Sequence, residues 1–225
     1  MINMNDRTHA SDFVSTVIGG VEAREILREA LVNGPKPGLD LRRFLAKKLK
    51  SRISNAKLYY NLQVLSESHL LKLHSKWRGK EVELDPMWLQ PVREYFGVKV
   101  PVVCVGGLQE RLRNPSLLES ALKLVDIKAI RYYFVARDEL RRKVSGVPGN
   151  VKFVYVSDDL MEGDLLGLKK VFQGIISDEL DSHEVIVDLS DGGRLGVLVL
   201  YRLAEDYGLR RFYLSESRQK IVWIS

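Results

Sequence analysis

Apolar positions in the first hundred residues recur mostly at helical spacing. Residues 21–33 place Ile26, Leu27, Ala30 and Leu31 on one stripe ahead of Gly34-Pro35, which predicts a helix ended by that pair. Residues 40–50 predict a second helix, with Leu41, Phe44, Leu45 and Leu49 inward and Arg42, Arg43, Lys47, Lys48 and Lys50 on the other face. Ser54 is suited to N-cap a third, running to about residue 68 with Leu58, Leu62 and Leu65 buried. Two strand-like runs follow, 70–74 and 81–84, joined through 76–80, where Arg78-Gly79 fits a tight turn. Residues 86–96 then form a connecting helix with Trp88, Leu89, Val92, Tyr95 and Phe96 on one stripe. Such a face must be covered, and dimerisation or docking of the next domain is the expected cover.

From residue 98 strands and helices alternate. The uninterrupted apolar run 100–105 reads as a buried parallel strand ending in Gly106-Gly107. Asn114-Pro115 opens a helix to about residue 125, 129–135 is a second strand, 137–144 a second helix and 151–156 a third strand. A long helix over 164–180 precedes strand four at 184–188, and a helix over 194–207 precedes strands at 211–214 and 221–224. The last two are separated by too few residues for a helical crossover, so the final strand is expected to be antiparallel. The expected fold is therefore α/β: an N-terminal winged helix-turn-helix plus a C-terminal doubly wound Rossmann-like sheet with a terminal β-hairpin. The expected division is an N-terminal extension over 1–19, a winged helix over 20–85, the connecting helix over 86–97 and the sheet domain over 98–225.

Charge separates the two parts. Residues 1–97 carry sixteen basic and eleven acidic side chains, net +5, against +1 for residues 98–225. Within residues 36–80 twelve basic residues meet only Asp40 and Glu67, a net of +10, the electrostatic footprint of a nucleic-acid-binding surface. No run of about 18 uncharged apolar residues is present, so no membrane span is expected. The first twenty residues show no secretory signal, and the expected location is cytoplasmic. The single cysteine, Cys104, sits among Val102, Val103 and Val105 and reads as a core residue. His69 and His74 have no nearby cysteine or carboxylate cluster, so no metal site is expected.

Three helices followed by a basic hairpin are the order of a winged helix, and residues 53–71 resemble the recognition segment of the ArsR-like winged-helix regulators. A serine, a polar stretch, then Leu62-x-x-Leu65 and a return into the wing carry the resemblance. With the leucines inward, Ala56, Tyr59, Tyr60 and Gln63 face outward and Asn55 and Lys57 stand at the helix start. These side chains are placed to reach base edges of double-stranded DNA, while Arg78 and Lys80 are expected as wing contacts to phosphate. The alternative is a degenerate winged helix that contacts protein.

In doubly wound sheets ligands bind beyond the carboxyl ends of the strands. Two expected loops lie there: Gly106-Gly107-Leu108, and Asp188-Leu189-Ser190-Asp191-Gly192-Gly193-Arg194 leading into a helix. Glycines permit close backbone approach, helix-start amides favour an anion, and Arg194 adds a permanent charge, so a phosphate-bearing ligand fits. Neither loop is a G-x-G-x-x-G fingerprint; NAD is disfavoured and no cofactor is expected. The element order, the glycine loop after strand four and the closing hairpin resemble the CRISPR-associated Rossmann fold (CARF) domain over residues 98–225. The resemblance rests on Asp188, Ser190, Gly192 and Arg194; Asp191 stands where the family has a glycine, and Gly193 where it has a threonine. The resemblance implies a homodimer that binds a cyclic oligoadenylate or a related nucleotide in antiviral defence, here with the winged helix ahead of the sensor instead of after it. Three readings follow: a ligand-responsive transcription regulator; a metal-independent ring nuclease using Ser190 and Arg194; and a non-catalytic dimerising adaptor.

Overall fold

Burial of the leucines of three short helices against a small sheet organises the N-terminal part of the chain. The computed structural model describes residues 10–77, 79–108, 115–142, 148–215 and 220–224, and divides into two units, Met1–Val98 and Lys99–Ser225. In the first, α1 (Ala10–Val17), α2 (Val21–Asn33), α3 (Gly38–Lys48) and α4 (Asn55–Glu67) precede the hairpin of β2 (Leu71–Lys76) and β3 (Gly79–Leu84). Ile26, Leu27, Leu41, Leu45, Leu58, Leu62 and Leu65 are buried in one core with Leu71, Val82 and Leu84 of the hairpin. The Ser54 hydroxyl caps α4 by accepting from the Lys57 amide at 3.1 Å.

Three features of this unit depart from expectation. A two-residue strand, β1 (Lys36–Pro37), lies in the predicted loop and pairs antiparallel with β3, giving the order β1-β3-β2. Its anchor is Glu29, buried in α2, whose carboxylate accepts from Asn33 at 3.0 Å and from the Lys36 ammonium. The expected extension contains α1. The connecting segment is a 3-10 turn at Pro86–Trp88 followed by α5 (Leu89–Phe96), and its apolar face is covered inside the unit. Phe13 of α1 stacks on Trp88 with ring centroids 4.8 Å apart, and Val14, Trp88 and Val92 share the core. The reason is local: Phe13, Val14, Val17 and Ile18 form a second short apolar stripe. That face therefore requires neither a dimer nor a docked domain.

The second unit is a six-stranded sheet in the order β6-β5-β4-β7-β8-β9. Its strands are β4 (Val102–Leu108), β5 (Ala129–Arg137), β6 (Val151–Val156), β7 (Glu184–Asp188), β8 (Arg210–Ser215) and β9 (Lys220–Ile224). All neighbours are parallel except β8 and β9, which pair antiparallel as a hairpin. In sheet order this is strands 3-2-1-4-5-6, the doubly wound Rossmann-like arrangement, with its switch point between β4 and β7. α6 (Pro115–Leu124) contributes Leu118, Ala121 and Leu122 to a core with Cys104, Tyr132, Phe134 and Phe212. α8 (Leu165–Leu180) and α9 (Gly193–Asp206) pack against each other and against β4 and β7. Cys104 is buried, as its valine neighbours imply.

The helix expected over 137–144 is not formed: β5 continues through Arg137, and Asp138–Arg142 is a 3-10 turn with only Leu140 buried. The breakers Gly146, Pro148 and Gly149 follow too closely for two α-turns, and Leu140 is a single apolar anchor. A short α7 (Asp158–Glu162), N-capped by Ser157, is an element that the apolar spacing does not predict. Among the described residues no helix is long and apolar enough to cross a membrane, and no cluster of metal-ligating side chains occurs.

Two measurements test this packing. A double-mutant cycle with Phe13→Ala and Trp88→Ala, read by denaturant unfolding, is expected to show a favourable coupling of about 0.5–1.5 kcal/mol, the increment typical of an aromatic pair; zero coupling would mean that α1 does not cover α5. Glu179, on α8, is buried, which raises its carboxyl pKa, but hydrogen bonds from Tyr133 and from Arg131 at 2.6 Å outweigh burial and leave it below the ordinary value. A lowered folded-state pKa contributes stability above the ordinary carboxyl range and loses it as pH falls through the folded value. Thermal unfolding of Glu179→Gln should accordingly lie below wild type near neutral pH, with the gap closing below about pH 4.

Candidate functional site

Two surfaces gather the residues singled out by the sequence, one in each unit. In the N-terminal unit α4 turns Leu58, Leu62 and Leu65 inward and leaves Asn55, Lys57, Tyr59, Tyr60 and Gln63 exposed, Tyr60 at 68 %. Lys80 joins them: a groove between α4 and the hairpin is lined by Tyr59, Leu62, Gln63, Ser66, Glu67, Leu73 and Lys80. Arg78 lies outside the described residues. Several of these polar groups are held by neighbours. Arg42 of α3 donates to the Asn55 carbonyl oxygen at 2.5 Å, fixing the start of α4, and Gln63 donates to Glu67 at 2.7 Å.

Lys57 reaches back over the surface to Glu22 of α2. The hydrogen bond from its ammonium, with the Glu22 backbone amide and the positive charge adding to it, holds the Glu22 carboxyl below the ordinary carboxylate range. The expected outward face of α4 is thus present, but its one cation is paired with a carboxylate of the same unit. His74 is exposed on the hairpin beside Glu83 at 2.9 Å, and His69 is exposed too, with a positive φ at the end of the α4 turn.

In the C-terminal unit the glycines have a different role from the one expected. Gly106, Gly107 and Leu108 are not a loop; they are buried in β4 and paired with Phe134, Val135 and Ala136 of β5. β4 starts at Val102, after Pro101, which has no N–H to give but accepts from the Glu184 amide at 2.9 Å, and it runs through Leu108. A Cβ on Gly107 would stand 2.6 Å from the Gly192 Cα, and one on Gly106 would press on Asp188 and the Phe134 ring at 3.2 and 3.3 Å. Gly107 admits the β7–α9 loop, and Gly106 admits Asp188 of β7 and the Phe134 ring. Gly192 and Gly193 carry φ of +115° and +69°, conformations that glycine adopts without strain.

The same loop uses its own polar groups. Asp188 accepts from the Ser190 amide at 2.9 Å and from the Ser190 hydroxyl, and the Ser190 oxygen accepts from the Leu214 amide at 2.7 Å. Ser190 therefore ties the end of β7 to β8, with its hydroxyl proton committed to Asp188. Asp191 accepts from the Gly192 amide at 2.6 Å. Gly192 provides no side-chain cap, so the first turn of α9 presents amides toward the crevice. Arg194 is exposed there, on an open cleft of about 450 Å³ lined also by Met161, Glu162, Gly193, Leu195 and Leu198.

The α7 wall of this cleft escapes sequence reasoning. Arg137, at the end of β5, pairs with Glu162 and lies 3.7 Å from Asp158, which fastens α7 over the strand ends. The signal is Ser157 followed by two aspartates, a helix start hidden by the brevity of the helix.

The cleft lies beyond the carboxyl ends of the strands of a doubly wound sheet, the region where sheets of this kind bind ligands, and it brings together helix-start amides and an arginine. No family model matches the chain, and no curated protein does. Solved structures that it is similar to include protein VC1899 from Vibrio cholerae, at 15% identity over 55% of this chain and 33% of that one, TM-score 0.41. Another is Can2 from Sulfobacillus thermosulfidooxidans, solved in complex with cyclic tetra-adenylate, at 12% identity over 55% of this chain and 34% of that one, TM-score 0.41. The chain spans about a third of the length of these structures.

Ser190→Ala should cost about 1–3 kcal/mol in denaturant unfolding, because it strands the buried Leu214 amide. Gly107→Ala should cost a similar ~1–3 kcal/mol through backbone overpacking against Gly192. Retention of wild-type stability by both variants would contradict a structural role for the loop.

Proposed function

We propose that this chain is a DNA-binding transcription regulator that responds to a nucleotide ligand, in which the N-terminal unit holds duplex DNA and the C-terminal unit senses a cyclic oligoadenylate or a related messenger. The observation that carries the reading is the exposed face of α4. Lys57, Tyr59, Tyr60 and Gln63 lie on one side of a helix that begins in an exposed first turn, with Lys80 across a groove and Arg43, Lys47 and Lys48 exposed on the preceding helix. An α-helix fills the major groove, polar and aromatic side chains read base edges, and the surrounding cations replace phosphate counterions. Phosphate competes with Glu22 for Lys57, so pairing in the free protein lowers non-specific affinity without removing the contact.

For the ligand half, the support is the first turn of α9 with Arg194 beside it, together with the resemblance of residues 188–194 to the CARF loop. An anion at a helix start is favoured by the dipole and by unpaired amides. Asp191 directs the ligand's phosphate away from its own carboxylate and toward Arg194. The ring-nuclease reading loses ground on one particular: the Ser190 hydroxyl gives its proton to Asp188 and accepts from the Leu214 amide, so only one lone pair remains to meet a ribose hydroxyl. A dimer with two winged helices would convert ligand binding into altered spacing on DNA, provided that the ligand binds the two arrangements with different affinity.

The test is fluorescence anisotropy on a random-sequence duplex over a range of salt, with and without cyclic tetra-adenylate. Log affinity should fall linearly with log salt, by about 0.9 per phosphate contact, and Lys57→Ala should flatten that slope by about one contact. Glu22→Gln should tighten binding, since it frees Lys57. Cyclic tetra-adenylate should change the duplex affinity in wild type and leave it unchanged in Arg194→Ala. Salt-independent or absent DNA binding would overturn the regulator; binding that no cyclic oligoadenylate alters would remove the sensor.

A further inference from the structure

The outward stripe of α4 carries one carboxylate that neither capping nor the core explains. Ala56, Tyr60, Gln63 and Glu67 recur at steps of four, three and four residues, so they share a face, and all are exposed opposite the buried Leu58, Leu62 and Leu65. Glu67 is the last residue of α4 and one of only two acidic side chains in residues 36–80. Both circumstances count against it: a negative charge at a helix C-terminus opposes the macrodipole, and one on a surface that meets phosphates lowers affinity for every sequence alike. What it holds is Gln63, whose amide donates to Glu67 Oε1 at 2.7 Å across one turn. An exposed pair of this kind adds little to the stability of a helix.

The hydrogen bond fixes what Gln63 presents. A free glutamine amide has a carbonyl oxygen and two N–H hydrogens, and rotation lets it offer either end. With one hydrogen given to Glu67, the nitrogen is turned toward the C-terminus of α4, and the amide keeps its carbonyl oxygen and its second hydrogen. In the major groove adenine shows an N6 amino donor beside the N7 acceptor, which one carbonyl and one hydrogen match as a bidentate pair. Guanine shows two acceptors there, O6 and N7, and two hydrogens are needed to meet both. The held amide therefore satisfies adenine in full and guanine only in part, and the carboxylate behind it adds a repulsion toward O6.

We infer that Gln63 selects adenine over guanine in the major groove of duplex DNA, and that Glu67 is the positioning residue that imposes the selection by holding the Gln63 amide in one orientation. The inference rests on the DNA-binding reading and adds to it a base identity. Glu67 lowers general affinity and raises discrimination, which is the part that a repulsive element plays in a specific interface.

The experiment uses the full chain. Duplexes are selected from a random-sequence library, and affinities for a selected duplex and for its single adenine-to-guanine variants are measured by fluorescence anisotropy. Wild type should bind about ten-fold more weakly when guanine replaces adenine at one position, and Gln63→Ala should lose that preference there. At the same position 7-deaza-adenine, which lacks the N7 acceptor, should weaken wild type and leave Gln63→Ala unaffected. Glu67→Ala should bind random duplex more tightly than wild type while its preference for adenine collapses. Glu67→Gln also removes the charge, but its carbonyl still accepts from Gln63, so it should keep the preference. An adenine preference that survives both Gln63→Ala and Glu67→Ala would overturn the inference. Loss of the preference in Glu67→Gln as complete as in Glu67→Ala would overturn it in favour of a plain charge effect. Wild-type binding without any base preference would overturn it and leave the DNA-binding reading in place; absence of DNA binding by wild type would remove both.

Discussion

The contact between two backbones, Gly107 in β4 and Gly192 ahead of α9, sets the geometry at the carboxyl end of the C-terminal sheet. With a Cβ on Gly107 meeting the Gly192 Cα at 2.6 Å, the loop can lie on the strand only because neither residue has a side chain. That approach lets Asp188 hold Ser190, lets Ser190 hold the Leu214 amide, and so fixes the ends of β7 and β8 against β4. The first turn of α9 is aimed by this set of contacts, and Arg194 with it. A switch point is ordinarily a gap between diverging loops; here one loop fills part of the gap, and the open volume is displaced toward α7.

A similar economy of side chains governs the N-terminal unit. Three short helices could not be stable alone, since isolated helices of this length are marginal in water. They are held by leucines that meet in one core and by a few specific polar anchors: Glu29 with Asn33 and Lys36, Ser54 under Lys57, Arg42 on Asn55. Each anchor sits at a helix end or at the start of β1. The outward face of α4 carries the Lys57 pair with Glu22, the Arg42 bond to Asn55 and the Gln63 bond to Glu67, and its tyrosines and Gln63 remain at the surface.

Much of this is legible in the sequence because periodicity and capping act locally. The leucine stripe of α4, its Ser54 cap, the buried run around Cys104 and the antiparallel last strand follow from spacing and connection length. What stays hidden depends on distant partners. Gly106-Gly107 reads as a turn in sequence, and pairing with β5 makes it a strand on which the loop eighty residues later packs. The stripe of α5 reads as an unsatisfied face until α1, eight residues long and starting at Ala10, is seen to cover it. Ser190 reads as a ligand contact because the sequence does not show that its hydroxyl is taken; Asp188 accepts its proton locally, and Leu214 adds a distant donor from β8. The 3-10 turn after Arg137 escapes for the converse reason, since local charge and spacing suggest a helix that the following glycines and proline do not permit.

For the ligand proposed above, Asp191 is the constraint that matters most. Its carboxylate already takes the Gly192 amide at 2.6 Å, which removes one of the donors that a phosphate at a helix start would use and leaves a negative charge beside the rest. A bare phosphate would lose a hydrogen bond and gain a repulsion there. A nucleotide avoids both costs by turning a hydroxyl to the carboxylate, which can still accept, and its phosphate to Arg194, whose guanidinium stays charged and offers paired donors. On the proposed reading the crevice would favour a molecule that carries hydroxyl and phosphate a few ångströms apart, which a ribose phosphate does and an inorganic anion does not.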